Sequence, residues 1–226
     1  MSREVRTIPF WSAEEIESAL GGAIAHLNSR KVLAYPTETV YGFGGAVDAE
    51  SVNRLIKMKG RPPNKPFLLI VASSEMIGRL GLRLGSYASR LAAKFWPGPL
   101  TLVLSGGEKR VPSQLRGPEG GIAVRWTPHP GLTRLIMAYG DPITSTSANR
   151  PGVSPATTAG EIVTQWTDAI ASGVLHVLDG GQLTASEPST VVDCTAARPR
   201  VIRPGAISEA ALLEIVPELI GARVER

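Results

Sequence analysis

Val32-Leu33-Ala34-Tyr35-Pro36-Thr37-Glu38-Thr39-Val40-Tyr41-Gly42-Phe43-Gly44-Gly45 is the stretch on which the fold turns. Its first four residues form an apolar run of strand length, and Pro36 stops the ladder because it has no N–H to donate. Thr37 to Gly45 then reads as a loop, since its glycines permit backbone angles that other residues avoid. The loop leaves the end of a buried strand.

Upstream, Ser12-Ala13-Glu14-Glu15 is a capping box, and Ile16, Leu20, Ala23 and Leu27 follow at helical spacing. A helix is expected over about 12–29, delivering the chain into the strand. Downstream, Asp48 caps a second helix through about Met58, whose last-turn Lys57 and Lys59 complement its dipole. The pattern then predicts a strand from Phe67 to Ala72, helices around 74–82 and 86–95, and a strand from Leu100 to Leu104 after the break at Trp96-Pro97-Gly98-Pro99. A looser stretch, Ser105 to Gly121, precedes a strand from Ile122 to Arg125. A helix near 130–139 and a short strand lead to Thr144-Ser145-Thr146-Ser147-Ala148-Asn149 and a polar loop to Pro155. Helix follows over about 158–166, strands near 174–178, 190–193 and 200–203, and a last helix from Ser208 to Ile220. Helices and strands alternate without a repeat or a disordered linker, which predicts one α/β domain built on a mixed sheet.

Composition agrees. A chain of 226 residues admits one full domain or two small ones at roughly 100–200 residues each, and buries about 70% of its unfolded surface without staples. Hydrophobic residues at 43% and charged residues at 19% lie outside the disordered range. The single cysteine, Cys194, excludes an internal disulfide and suits a reducing cytoplasmic setting, and no Cys/His spacing is of the zinc type. Met1 to Trp11 holds Arg3, Glu4 and Arg6 with no apolar stretch behind it, and no segment approaches the roughly 18 apolar residues of a membrane span. Neither secretion nor membrane association is expected.

The net charge of +4 is too small for a dedicated DNA binder, so where the cations sit matters more than how many there are. Lys57, Lys59, Arg61 and Lys65 fall in one short run without an acid, stiffened by Pro62 and Pro63. Forked and point-like cations together suit a polyphosphate, while a solvated helix end is the bland alternative, and both readings stay open on charge alone. Ser145 to Asn149, with Gly152 and Ser154 beyond, could hold phosphate or a small polar substrate at a strand end, or simply form a turn. Arg125 and Arg203 each end a strand and point to one rim of the sheet, unless each is a surface ion-pair partner. Ser189-Thr190 adds hydroxyls at another strand start. The sequence has no G-x-x-x-x-G-K-[ST], no G-x-G-x-x-G after a strand and no G-x-S-x-G, so P-loop, dinucleotide and serine-elbow chemistry are set aside. His26 and His176 read as packed or surface residues, His129 as part of a turn, and Cys194 as a small buried residue rather than a nucleophile.

Tyr35-Pro36-Thr37-Glu38-Thr39-Val40-Tyr41-Gly42, Lys59-Gly60-Arg61-Pro62, Trp96-Pro97-Gly98-Pro99-Leu100-Thr101, Ala123-Val124-Arg125, Ser147-Ala148-Asn149, Pro188-Ser189-Thr190-Val191-Val192-Asp193 and Arg203-Pro204-Gly205 together resemble, in order, the signatures of the YrdC-like threonylcarbamoyl-AMP synthases. The resemblance covers about residues 15 to 207 and is to the short, single-domain form. It implies a YrdC-like α/β fold, a twisted mixed sheet with flanking helices and a deep basic cavity. Residues 1–207 would be the catalytic domain and 208–226 a helical extension of it.

The implied reaction converts L-threonine, bicarbonate and ATP to L-threonylcarbamoyladenylate and pyrophosphate, for N6-threonylcarbamoyladenosine in tRNA. By position, Lys59, Arg61, Lys65, Ser147, Asn149, Ser154 and Arg203 would hold ATP, with Lys59 and Arg61 catalytic. Thr37, Arg125, Ser145 and Ser189 would hold threonine, with Arg125 facing its carboxylate. Mg2+ is expected on the triphosphate without a protein cage of its own, and tRNA and a downstream threonylcarbamoyl transferase complex are the further partners implied. Two rivals remain at this stage: an RNA-binding module with a concave basic surface, and a carbamoyl-transfer domain of the hydrogenase-maturation type.

Overall fold

Alternating helices and strands demand a layered solution, and a computed structural model of the chain, describing residues 7–60, 66–184 and 186–222, has one. In chain order the elements are β1 (Ile8–Pro9), α1 (Ala13–Asn28), β2 (Val32–Tyr35), β3 (Gly42–Gly44), α2 (Ala49–Lys59), β4 (Leu68–Val71), α3 (Ser74–Arg79), β5 (Leu82–Arg83), α4 (Ser86–Phe95) and β6 (Leu100–Gly106). There follow β7 (Ile122–Trp126), α5 (Pro130–Tyr139), β8 (Ile143–Ser147), α6 (Ala159–Gln165), α7 (Thr167–Ala171), β9 (Leu175–Asp179), β10 (Thr190–Asp193), β11 (Arg200–Arg203) and α8 (Glu209–Ile215). The strands run β1-β9-β2-β3-β8-β4-β7-β6-β10-β11, with β5 paired to β6 off this path. Parallel pairs, such as β2 with β9 and β4 with β7, are mixed with antiparallel ones, such as β3 with β8 and β6 with β7. Strands of this kind twist right-handedly, and the expected twisted mixed sheet with flanking helices is present.

Several boundaries follow directly from sequence chemistry. At α1 the Ser12 hydroxyl accepts from the Glu15 N–H while Glu15 Oε2 accepts from the Ser12 N–H, so the capping box closes. The apolar face of α1, Ile16, Leu20, Ala23 and Leu27, is buried, and the helix packs on α5 and β2. Asp48 caps α2 through the Ser51 N–H, and Gly60, at φ 62°, ends it. His129 caps α5, its Nδ1 accepting from the Leu132 N–H.

Other expectations need correcting. Gly42–Gly44 is a strand rather than loop, because β2 and β8 offer it ladders on both sides. Thr144 to Ser147 lies inside β8 rather than after a strand: alternate hydroxyls face a cavity, so polarity does not end the ladder. The helix expected to run to about 82 ends at Arg79. Gly81, at φ 72°, turns the chain, and Leu82–Arg83 pairs with β6. The last helix stops at Ile215 rather than Ile220, since Pro217 disfavours helical geometry at Val216, and Ile220 instead bridges Arg200. β1 and α7 are short additions that periodicity did not reveal.

His26 and His176 are packed against each other, their rings stacked at 3.7 Å. The His26 Nε2–H donates to the Val32 and Val174 carbonyls at 3.0 and 3.2 Å, tying α1 to the sheet. Burial first, then the positive charge a protonated His176 would bring, lowers the pKa of His26 from 6.5 to about 4. A histidine depressed in this way binds its proton more readily when unfolded. Its contribution to stability is full above pH 6.5 and is lost as pH falls toward about 4. Melting temperatures measured from pH 7.5 to 4 should decline through this window, and His26→Asn should flatten the decline.

Candidate functional site

One face of the sheet carries the cavity, and register selects the residues on it. Directly opposed residues on neighbouring strands share a face. Across the sheet the opposed pairs are Gly42 with Ser147, Ser145 with Leu68, Ile70 with Arg125, Arg125 with Thr101, Thr101 with Val191, and Val191 with Arg203. Alternation along β8 and β4 joins these pairs into one row from Gly42 to Arg203. All of them line a cavity of about 740 Å³, with the loop residues Thr37, Thr39, Ser154 and Ser189 along its walls. Seven of the residues expected at the site therefore meet at one cavity: Thr37, Arg125, Ser145, Ser147, Ser154, Ser189 and Arg203.

The close approach of β3 to β8 requires a glycine. A Cβ on Gly44 would lie 1.8 Å from the Thr144 carbonyl oxygen and 2.6 Å from the Tyr35 hydroxyl, which itself donates to that carbonyl at 3.0 Å. At the opposite wall, a Cβ on Gly205 would fall 2.2 Å from the Pro188 carbonyl oxygen. This lets the Arg203-Pro204-Gly205 segment lie against Pro188-Ser189-Thr190. Ala206 N–H donates to Pro188, and Thr190 Oγ1 exchanges hydrogen bonds with Ile207.

Arg203 is held by this wall. Its Nη2 donates to the Ser189 carbonyl at 2.6 Å and to Ser189 Oγ at 3.0 Å, and Ser189 Oγ in turn lies 2.8 Å from Thr101 Oγ1. Burial, and then the charge of Arg125, lowers the pKa of Arg203 below its ordinary value. Arg125 is buried and pairs through Nη2 with Glu38 Oε1. Glu38 Oε2 accepts from Thr127 Oγ1 at 2.9 Å. The Thr37 hydroxyl donates to the Val40 carbonyl at 2.6 Å and accepts from the Thr39 and Val40 N–H groups, which shapes the loop bearing Glu38.

Lys59 and Asn149 sit beside the cavity. The buried Lys59 ammonium donates to Thr146 Oγ1 at 3.3 Å, Asn149 Oδ1 at 2.9 Å and the Ser147 carbonyl, oxygens that offset its desolvation. Asn149 Oδ1 also accepts from Ser147 Oγ at 2.6 Å, and its amide donates to the Val153 carbonyl. Lys59 is thus one hydrogen bond from two other residues expected at the nucleotide. Arg61 and Lys65 lie outside the described residues. Among those described, the cations lining the cavity are Arg125 and Arg203, and Glu38 offsets the first.

Sequence reading passed over Glu38, Thr101 and Tyr41. All three stood within quoted motifs, and Thr101 is also the polar residue in the apolar run from Leu100 to Leu104. Tyr41 donates to the Gly181 carbonyl at 2.7 Å, and burial pushes its phenol up to about 12. Cys194 is half-buried with its thiol pushed up to about 12 by burial, unsuited to act as a nucleophile near neutrality. Among the described residues no three His, Cys, Asp or Glu side chains converge on a metal position, and no helix is long and apolar enough to cross a membrane.

Gly44→Ala should force β3 from β8, costing about 1–3 kcal/mol or more. Urea unfolding of the variant and the parent measures the loss, and an unchanged midpoint would contradict the close approach.

Known proteins place this arrangement. The Sua5/YciO/YrdC family model, described as "Telomere recombination", matches residues 25–205. A threonylcarbamoyl-AMP synthase of Pyrococcus abyssi is 36% identical over 200 residues, covering 88% of this chain and 56% of its own length. One of Klebsiella pneumoniae is 37% identical over 178 residues, covering 77% of this chain and 90% of its own. The chain thus spans just over half of the archaeal relative and most of the bacterial one. The crystal structure of P. abyssi Sua5 complexed with L-threonine superposes with a TM-score of 0.83 at 31% identity, over 96% of this chain and 62% of that one. Escherichia coli YciO gives 0.77 at 26%, over 92% and 98%. A full-length HypF structure, at 18% identity and a TM-score of 0.68, shares the fold alone. The match over most of its length, with relatives above 30% identity, establishes that this chain belongs to the Sua5/YciO/YrdC family.

Proposed function

We propose that the protein is an L-threonylcarbamoyl-AMP synthase, taking L-threonine, bicarbonate and ATP to the adenylate and pyrophosphate. The observation that carries this reading is the convergence of Arg125, Arg203, Ser145, Ser147 and Ser189 on one cavity of about 740 Å³, in a family whose relatives bear that name.

Threonine would place its carboxylate on Arg125 with Thr37, Ser145 and Ser189 around it. ATP would lie toward Arg203, Ser147, Asn149, Ser154 and Lys59, with Arg61 and Lys65 of the same basic run on its phosphates. Because Arg203 and Ser189 are in direct contact, the two substrates would adjoin. Threonine's ammonium gives up a proton to solvent, the free amine attacks the carbon of bicarbonate, water leaves, and a carbamate results. A carbamate oxygen then attacks the α-phosphorus as the bond to the β-phosphate oxygen breaks and pyrophosphate departs. The barrier lies in bringing anions together, and fixed guanidinium and ammonium groups lower it by positioning and by stabilising charge on phosphoryl oxygens. No covalent enzyme intermediate is required. The described residues offer no carboxylate cage for Mg2+, so the ion would belong to the triphosphate, and no step here runs through it. The same reading takes residues 1–207 as the catalytic domain and 208–226 as its extension, supported by the packing of α8 on α4. It also places the protein in the cytoplasm, with tRNA and a threonylcarbamoyl transferase complex receiving the product.

Pyrophosphate release, with mass detection of the adenylate, should require ATP, threonine and bicarbonate together. Equal turnover without threonine would count decisively against the proposal. Salt-dependent RNA binding without turnover would favour an RNA-binding module, and a requirement for carbamoyl phosphate would favour carbamoyl transfer. Within the reaction, Arg61→Ala should cut ATP use by about tenfold or more. Arg125→Lys keeps a charge for Glu38 but loses the fork, and should chiefly raise the threonine KM. Identical defects in the two variants would refute this division of roles.

A further inference from the structure

A carboxylate already sits on the guanidinium that the proposed reaction assigns to the substrate's carboxylate. Arg125 lines the cavity, and Glu38 stands between Thr37 and Thr39, which line it too. The two side chains retain 8% and 19% exposure, so neither charge is well solvated. Glu38 has a second anchor independent of Arg125. Its Oε2 accepts from Thr127 Oγ1 at 2.9 Å, and Thr127 Oγ1 accepts from the His129 N–H at 3.1 Å, where β7 turns into α5. Arg125 is only half used: Glu38 engages Nη2, while Nε is buried with no hydrogen-bond partner among the described residues.

A ligand carboxylate accepting from both Nε and Nη2 would complete the fork and displace Glu38 from it. The exchange has a cost that depends on the ligand's other end. Removing one partner of a desolvated ion pair leaves the second charge uncompensated, and that is strongly unfavourable. A simple carboxylate would strand Glu38, and a simple amine would strand Arg125. A zwitterion replaces both partners at once, its carboxylate on Arg125 and its ammonium on Glu38, which Thr127 keeps in place. Resting on the reading of this cavity as a threonine site, we propose that Glu38 is the residue that recognises the substrate's α-ammonium, so that the Arg125–Glu38 pair selects a zwitterionic amino acid over singly charged analogues.

Calorimetric titration of the full chain with L-threonine, with 3-hydroxybutyrate (the analogue without the amine) and with threoninol (the analogue without the carboxylate) tests this. The parent should bind threonine about tenfold or more tightly than either analogue. Glu38→Gln, which retains an acceptor for Thr127, should weaken threonine by a similar factor and strengthen 3-hydroxybutyrate. Glu38→Asp should restore part of the preference. These opposite signs distinguish recognition of the ammonium from a structural role, which would weaken both ligands. Tightening of both ligands by Glu38→Gln would mean that Glu38 merely competes for Arg125, and parallel or absent changes would equally overturn the inference. Should the variant not fold, equal affinity of the parent for threonine and 3-hydroxybutyrate would overturn it alone. If the parent neither binds threonine nor releases pyrophosphate, the proposed synthase activity falls with it. If the parent turns over threonine but shows no preference for the zwitterion, only the role of Glu38 falls.

Discussion

Side chains on a strand point alternately to opposite faces, so a sheet gathers functional groups only when neighbouring strands are in the right register. In this protein a single row of opposed residues, from Gly42 and Ser147 through Ser145, Arg125 and Thr101 to Arg203, runs beneath the cavity. A slip of one residue in any pair would turn the next strand's contribution into the core on the other side. Everything else in the site depends on that register, and two features hold it. Gly44 lets β3 approach β8 closely enough to pair, and Gly205, where no Cβ would fit, lets the Arg203-Pro204-Gly205 segment lie on Pro188-Ser189-Thr190, tied there by Arg203 to Ser189, Ala206 N–H to Pro188 and Thr190 Oγ1 to Ile207.

The charges follow from this arrangement. Arg125 and Arg203 both line the cavity, where burial and then the charge of Arg125 raise the cost of charging Arg203. The protein meets that cost unequally. Arg203 spreads its donors over the Ser189 carbonyl and hydroxyl, whereas Arg125 pairs with Glu38 and keeps Nε without a hydrogen-bond partner among the described residues. Lys59 is stabilised differently again, by neutral oxygens at the end of β8. Among the described residues, Glu38 thus offsets one of the two cations that line the cavity.

Much of the fold was legible along the chain. The capping box at Ser12, the run Val32 to Tyr35, the stop at Pro36 and the span of α5 from Pro130 to Tyr139 all depend on local chemistry, namely which groups a turn or strand end must satisfy. The errors fell where a tertiary partner overrode a local preference. Glycines that looked like loop became β3 because two strands flank them, and hydroxyls that looked like a turn stayed in β8 because a cavity receives them. The order of the strands was not legible either, since nothing local says that β9 lies between β1 and β2.

The sequence alone determined most of the longer elements, the family to which its ordered motifs belong, and the residue types available for phosphate and amino-acid binding. Those are properties of short stretches, set by backbone geometry and side-chain chemistry within a few residues. Only the tertiary structure decided that Glu38 pairs with Arg125 across 87 positions, that Thr101 meets Ser189, and that Lys59 reaches Asn149. Such contacts are fixed by strand register and burial, which depend on the whole sheet closing at once and leave no trace in any one segment.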